Sequence, residues 1–223
     1  MNAPEGTLVI ADIQTAGKGR LGRVWFSPEG GLWFSLILKP TAPDLSPLTV
    51  IFGACISRII EVQTSLPCRF HWPNDLYINE KKVGGILLKS RIMGNVPQYA
   101  IAGVGINVNF PATALNADLS IAATTLLDER GTYTAITALL AGILNKLEKD
   151  YDEFLSKGPG RLIESYKSQC VTLGRRVKIL NSGDIKEADG TAKDITPDGG
   201  LVVELFSGEK GILYNAERLI LIG

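Results

Sequence analysis

Three short glycine clusters, each set in or beside an apolar run of β character, constrain this chain more than any other feature. Thr7 to Ala11 reads as a buried strand. It opens onto Gly17-Lys-Gly-Arg-Leu-Gly22, followed by Arg23, Trp25 and Ser27-Pro28. Gly84-Gly85 falls in the run Val83 to Lys89, and Gly103-Val-Gly-Ile-Asn107 lies inside Gln98 to Asn109. Glycine in a strand marks a bulge or a close approach by another backbone or a ligand. The chain has 24 glycines in 223 residues, more than the usual ~7%, and their positions matter more than their number.

The rest of the chain supplies helices and a second unit. Pro40, Pro43 and Pro47 break the chain, with Ser46 as an N-cap and Pro47 at the first position of a largely buried helix over Leu48 to Gln63. Arg69 to His71 is extended ahead of Pro73. Leu76-Tyr-Ile and Val83 to Lys89 form a hairpin about the polar turn Asn79-Glu-Lys-Lys. Gly94-Asn95 turns the chain into Gln98 to Asn109. Thr132 caps a long helix to about Ser156, with Ile136, Leu140, Ile143 and Leu147 at helical spacing. Gly158-Pro-Gly160 ends it, and a short helix runs to about Gln169. From Gly174 short apolar runs alternate with Ser182-Gly, Asp189-Gly, Asp198-Gly-Gly and Ser207-Gly, the spacing of a small barrel. The expected architecture is α+β: a mixed sheet packed with helices over 1–171, then a small β-barrel over 172–223.

Composition removes several classes of function. Lysine plus arginine and aspartate plus glutamate both number 23, so there is no electrostatic footprint for DNA and no basic face for a membrane. Three scattered cysteines and a single histidine, His71, argue against a disulfide framework, a Cys-type zinc site and histidine-based hydrolysis. No apolar run approaches the ~20 residues of a membrane span, and the first residues lack a secretory leader. A cytoplasmic location is expected.

Gly17 to Gly22 fits G-x-G-x-x-G, but a dinucleotide fold needs that loop to open a helix. Pro28 and Gly30-Gly31 stand where the helix would be. The kinase and Walker readings lack their companion motifs. What remains is a flexible loop carrying Lys18, Arg20 and Arg23, whose glycines admit a ligand and whose guanidiniums match phosphate. Each cluster alone has a bland reading: a solvated basic loop, a well-made Trp72-Pro-Asn-Asp75 turn, a twisted core strand.

Together and in this order, the clusters resemble the biotin protein ligase family, relatives of the lipoate ligases. The matching segments are Gly17-Lys-Gly-Arg-Leu-Gly-Arg-Val-Trp-Phe-Ser-Pro28, Trp72-Pro-Asn-Asp75 with Lys82-Val-Gly-Gly-Ile-Leu87, and Gly103-Val-Gly-Ile-Asn107. The resemblance implies a class II synthetase-like catalytic domain and an SH3-like barrel. It implies ATP and biotin as substrates, with Mg²⁺, giving biotinyl-5'-AMP. A lysine of a biotin carboxyl carrier protein, such as that of acetyl-CoA carboxylase, then takes the biotin. By motif position, Gln14, Gly17, Lys18, Gly19, Arg20, Lys82 and Gly85 match residues that hold biotin or its adenylate. Lys82 and Arg20 match the catalytic positions, and Arg20, Arg23, Trp25 and Asn107 match the ATP side. No resident metal site, DNA or membrane partner is implied, and a homodimer is allowed for.

Two features depart from the family pattern. Its Ser-Thr-Asn segment, which contacts the biotin ring, lies well upstream of the glycine loop, whereas sixteen residues precede Gly17 here and contain no such segment. His71 stands where the family has lysine. The alternatives are a lipoate or other acyl ligase, and a catalytically weak adenylate-binding relative.

Overall fold

The computed structural model describes residues 3–94, 96–115, 122–183 and 185–222. A six-stranded sheet in the order β1-β2-β6-β5-β4-β3 is built from β1 (Leu8–Ala11), β2 (Leu32–Leu38), β3 (Arg69–His71), β4 (Asp75–Ile78), β5 (Lys81–Met93) and β6 (Val96–Ile106). Its ladders are all antiparallel, and among the described residues parallel pairing is confined to the isolated bridges Phe70–Cys170 and Lys82–Ala123. One face carries Phe34, Leu38, Ala100, Ala102, Val104, Leu76 and Ile86, all buried. The residues between them form the opposite face.

Helix α1 (Pro47–Thr64) closes the buried face and packs against α3 (Ile136–Lys157) and α4 (Gly160–Tyr166). It is the one helix among the described residues long and apolar enough to cross a membrane, and 67% of that stretch is buried inside the protein. A helix sealed between a sheet and two other helices on this scale is a core element. Buried Asp150 accepts from Tyr166 Oη at 2.6 Å and pairs with Lys146, so this buried charge in the α3–α4 contact is compensated.

The C-terminal unit is a five-stranded antiparallel sheet in the order β10-β9-β8-β7-β11, with the character of a small SH3-like domain. Its strands are β7 (Arg176–Ser182), β8 (Ile185–Ile195), β9 (Leu201–Leu205), β10 (Lys210–Leu213) and β11 (Arg218–Ile222). It docks on the first unit through Trp72, which is fully buried. The Trp72 indole N–H donates to Gly199 O at 3.0 Å, and its backbone N–H donates to Thr172 Oγ1 at 3.0 Å.

Several local expectations change. Strand β1 is a sheet edge, so Val9 and Ile10 are 56% and 53% exposed rather than buried. Ser46 is itself helical and its hydroxyl caps nothing; its N–H donates to Asp44 Oδ1 at 2.9 Å. The β4–β5 turn is only Asn79-Glu80, with φ of +49° and +62°, the two-residue form that suits strand twist. Thr132 does not cap α3, which starts at Ile136 after Ala135. The threonine cap belongs instead to an unforeseen helix α2 (Leu126–Arg130), where Thr125 Oγ1 accepts from Asp128 N. Asp189-Gly190 is not a turn but lies within β8, where a side chain at 190 would meet Glu204 O at 2.7 Å. Asn95, assigned to a turn, lies outside the described residues.

Candidate active site

The open face of the large sheet has a bare floor. Gly85 and Gly105 are direct partners across β5 and β6. A methyl on Gly105 would lie 2.5 Å from Trp25 Nε1, and one on Gly85 would lie 3.5 Å from the same ring. The β-carbon on Gly105 would displace the indole, which accounts for glycine there, whereas one on Gly85 would make ordinary contact with the ring and press closer, at 3.3 Å, on Asp75 Oδ1. Trp25 lies on this floor, half-buried, and its buried indole N–H has no acceptor among the described residues. Such an orphaned donor costs roughly 1–3 kcal/mol, which an incoming acceptor would relieve.

The glycine loop folds back to hold Trp25. Trp25 N–H donates to Gly17 O at 2.9 Å and Gly19 N–H to Arg23 O at 2.8 Å, while Gln14 pairs with Ser27 and Lys18 with Val24. A side chain at Gly17 would meet Trp25 O at 2.4 Å, so the fold of the loop requires glycine there. Ser27 Oγ donates to Gln14 Oε1 at 2.9 Å, fixing Gln14 at the base of the loop. Lys18 and Arg23 are exposed, and Arg23 lies 3.7 Å from Glu217.

Lys82 reaches the floor from β5. Its ammonium is 2.7 Å from Asp75 Oδ1 and 5.2 Å from the Trp25 ring centre. The lysine contact is ionic, because Asp75 Oδ1 receives no aligned hydrogen bond. Arg20 stands at the border with the C-terminal unit, donating to Asn74 Oδ1 at 2.9 Å and Ala216 O at 3.1 Å. Asn74 is fixed in turn by bonds in both directions with the Ile86 backbone. A cleft of about 310 Å³ opens between the units and shares Arg20 and Asn74 with the site.

Two residues occupy places that motif matching did not convey. Asn107 is 4% exposed, and its amide donates to Thr124 O at 2.9 Å, so it holds the segment that pairs alongside Lys82. His71 is paired with Asp75 across β3 and β4, and its ring centre is 5.0 Å from that of Tyr77. Burial pushes its pKa down, more than nearby Asp75 raises it, and Lys82 pushes it further down. At neutral pH this ring is uncharged, so it does not replace a lysine's charge. Burial and Asp75 push the Tyr77 phenol up. The structure therefore gathers Lys82, Asp75, Trp25, Gly85 and Gly105 at one point, with Gln14 and Arg20 at its rim. Sequence reading gave no role to Ser27, Asp75 and Gly105, although all three stand in the matched segments, and it missed Ala216 and the Thr124 segment, where only Thr125-x-x-Asp128 gave a local signal, as a helix start.

Comparison with known proteins identifies the fold and the family. A profile of the biotin/lipoate A/B protein ligase family matches residues 1–107, and one of the biotin protein ligase C-terminal domain matches 172–215. The bifunctional ligase/repressor BirA of Bacillus spizizenii is 36% identical over 97% of this chain and 66% of its own length. The chain thus spans just under two thirds of that relative. The Aquifex aeolicus biotin protein ligase in complex with biotin and ATP superposes with a TM-score of 0.86 at 31% identity, covering this whole chain and 92% of that one. The Leishmania major biotin protein ligase in complex with biotinyl-5-AMP gives 0.60 at 26%, over 94% and 88%. With both units matched in order and a ligase of nearly the same extent superposing throughout, the chain belongs to the biotin protein ligase family.

Proposed function

We propose that this protein activates biotin with ATP and transfers the biotinyl group to a lysine of a biotin carboxyl carrier protein, in the cytoplasm, with residues 1–171 as the catalytic unit and 172–223 as its companion. The observation that carries this reading is an ammonium, Lys82, held over a side-chain-free floor beside an indole with a spare donor. In the first step a carboxylate oxygen of biotin attacks the α-phosphorus of ATP, the bond to the β-phosphate oxygen breaks and pyrophosphate leaves. Negative charge shared by carboxylate and phosphate needs a fixed cation, and Lys82 supplies it, with Arg20 from the rim. In the second step the carrier's amine attacks the acyl carbon, AMP leaves, and the amine gives up its proton. Neither step needs a protein nucleophile.

Gln14, Gly17, Lys18 and Gly19 are assigned to the biotin side with Gly85, and Arg23, Trp25 and Asn107 to the nucleotide side. For Asn107 this acts through Thr124, whose carbonyl it holds. Mg²⁺ is assigned to the nucleotide as substrate, since ions of this type bind through substrate phosphates with one or two carboxylates. Among the described residues no three His, Cys, Asp or Glu side chains form a metal cluster, and no step is routed through the ion. The exposed edge β1, with Val9 and Ile10 beside the glycine loop, gives the carrier, or a second copy, a strand to approach. Biotin-dependent exchange of radiolabelled pyrophosphate into ATP tests the first step. Exchange with lipoate instead would move the chain to the lipoate branch, and ATP binding without exchange would make it an inactive relative.

A further inference from the structure

The backbone of Lys82 is held from two sides. On one side it pairs with Tyr77 in β4. On the other, its N–H donates to Ala122 O at 2.8 Å and its carbonyl accepts from Thr124 N–H at 2.9 Å. Segment 122–124 is therefore the bracket that sets where the lysine side chain begins, and something must fix that bracket. Asn107 fixes one end through Thr124 O. The other anchor is Glu129 on α2, a carboxylate whose side chain is only 8% exposed.

Glu129 gathers donors from three pieces of chain. Thr124 Oγ1 donates to Oε1 at 2.7 Å, Lys81 Nζ to Oε1 at 3.1 Å and Asn79 Nδ2 to Oε2 at 2.8 Å. Thr124 belongs to the bracket, Asn79 to the β4–β5 turn, and Lys81 is the residue of β5 directly before Lys82. A carboxylate that ties the turn to the bracket controls both flanks of the lysine. Burial alone would raise its pKa, but the bonds from Thr124, Asn79 and Lys81 outweigh that and hold it below the ordinary value of 4.5. It stays ionised across the range in which such a ligase operates.

We infer that Glu129 is a positioning residue for adenylate formation, acting through Thr124, Asn79 and Lys81 to place the Lys82 ammonium. Its two carboxylate oxygens are engaged by these protein donors. The inference deepens the proposed activity and rests on it, so its test has one arm that does not depend on turnover. In that arm the acetylation rate of Lys82 under limiting reagent is read by mass spectrometry, with exposed Lys39 as internal reference. Glu129→Ala is expected to raise Lys82 labelling, because the lysine is freed from its place against Asp75 and Trp25. Glu129→Gln, which keeps an accepting oxygen for Thr124, is expected to restore most of the protection.

In the turnover arm, Glu129→Ala lowers kcat for biotin-dependent pyrophosphate exchange by about 10- to 100-fold, as expected for a reacting group misplaced by a fraction of an ångström to one ångström. KM for biotin and ATP changes little, and Glu129→Gln recovers most of kcat. Should Glu129→Ala fail to fold, Thr124→Val removes a single bond and is expected to shift labelling and kcat the same way by a smaller factor. Unchanged labelling in Glu129→Ala or, failing that, in Thr124→Val overturns the inference, as does a loss confined to KM. If the wild type exchanges nothing while the labelling follows prediction, the positioning stands and the assigned activity falls.

Discussion

Lys82 combines two properties seldom found together in a hairpin lysine: a carboxylate at 2.7 Å and an aromatic face at 5.2 Å. It contributes no packing to the core, so Lys82→Ala is expected to cut adenylate formation by about 10²–10³-fold, the usual cost of losing one electrostatic stabiliser. The thermal midpoint should stay within a few degrees. A variant with wild-type rates would remove Lys82 from the mechanism. His71 carries a prediction of a different kind. Its folded pKa lies below its ordinary 6.5 through burial, so as pH falls the unfolded chain takes up the proton first. The contribution of His71 to stability is therefore complete above about pH 6.5 and declines below it. Chemical denaturation between pH 5 and 8 should show that decline, and His71→Phe should flatten it. A decline of equal size in the variant would assign it to other groups. Which residues meet at the floor was partly legible from sequence, because Lys82, Gly85 and Trp25 stand in compact motifs. That Asn107 works as a prop and Arg20 is held by Ala216, 196 positions away, depends on tertiary contacts that no local pattern encodes.

At the scale of elements, β5 and β6 form the site by leaving it empty. Gly105→Ala would put a methyl 2.5 Å from the Trp25 indole nitrogen. The loop holding Trp25 is a surface element and can move away, so the expected stability loss is about 1–3 kcal/mol or less. The larger effect should fall on nucleotide affinity, measured by calorimetry. Wild-type affinity would show that Trp25 has no part in the nucleotide side. The core strands and α1 could be read from apolar runs and the proline at the helix start. Three kinds of element could not. The edge strand β1 looks buried because an apolar run does not reveal whether a neighbour covers it. Helix α2 is too short for periodicity and is marked only by Thr125. Asp189-Gly190 reads as a turn, yet the glycine is needed inside β8 for close approach to β9.

The whole molecule depends on how the two units meet. Trp72 sits in the motif that supplies Asn74 and Asp75, and donates to Gly199 in the C-terminal unit, so the docking of that unit and the geometry of the site share one turn. Trp72→Phe keeps most of the buried ring and leaves Gly199 O without its donor, at a cost of roughly 1–3 kcal/mol. Thermal unfolding should report that loss, and the Arg20–Ala216 contact should loosen with it, seen as faster proteolysis of the glycine loop. Unchanged stability and cleavage would mean that the units dock independently of Trp72. The central claim, that this arrangement makes an acyl-adenylate from biotin, is most directly tested by mass spectrometry of the purified protein incubated with Mg-ATP and biotin, beside a parallel lipoate incubation. Biotinyl-AMP with biotin and no lipoyl-AMP with lipoate is the predicted result, and ATP bound with no adenylate from either acid would contradict it.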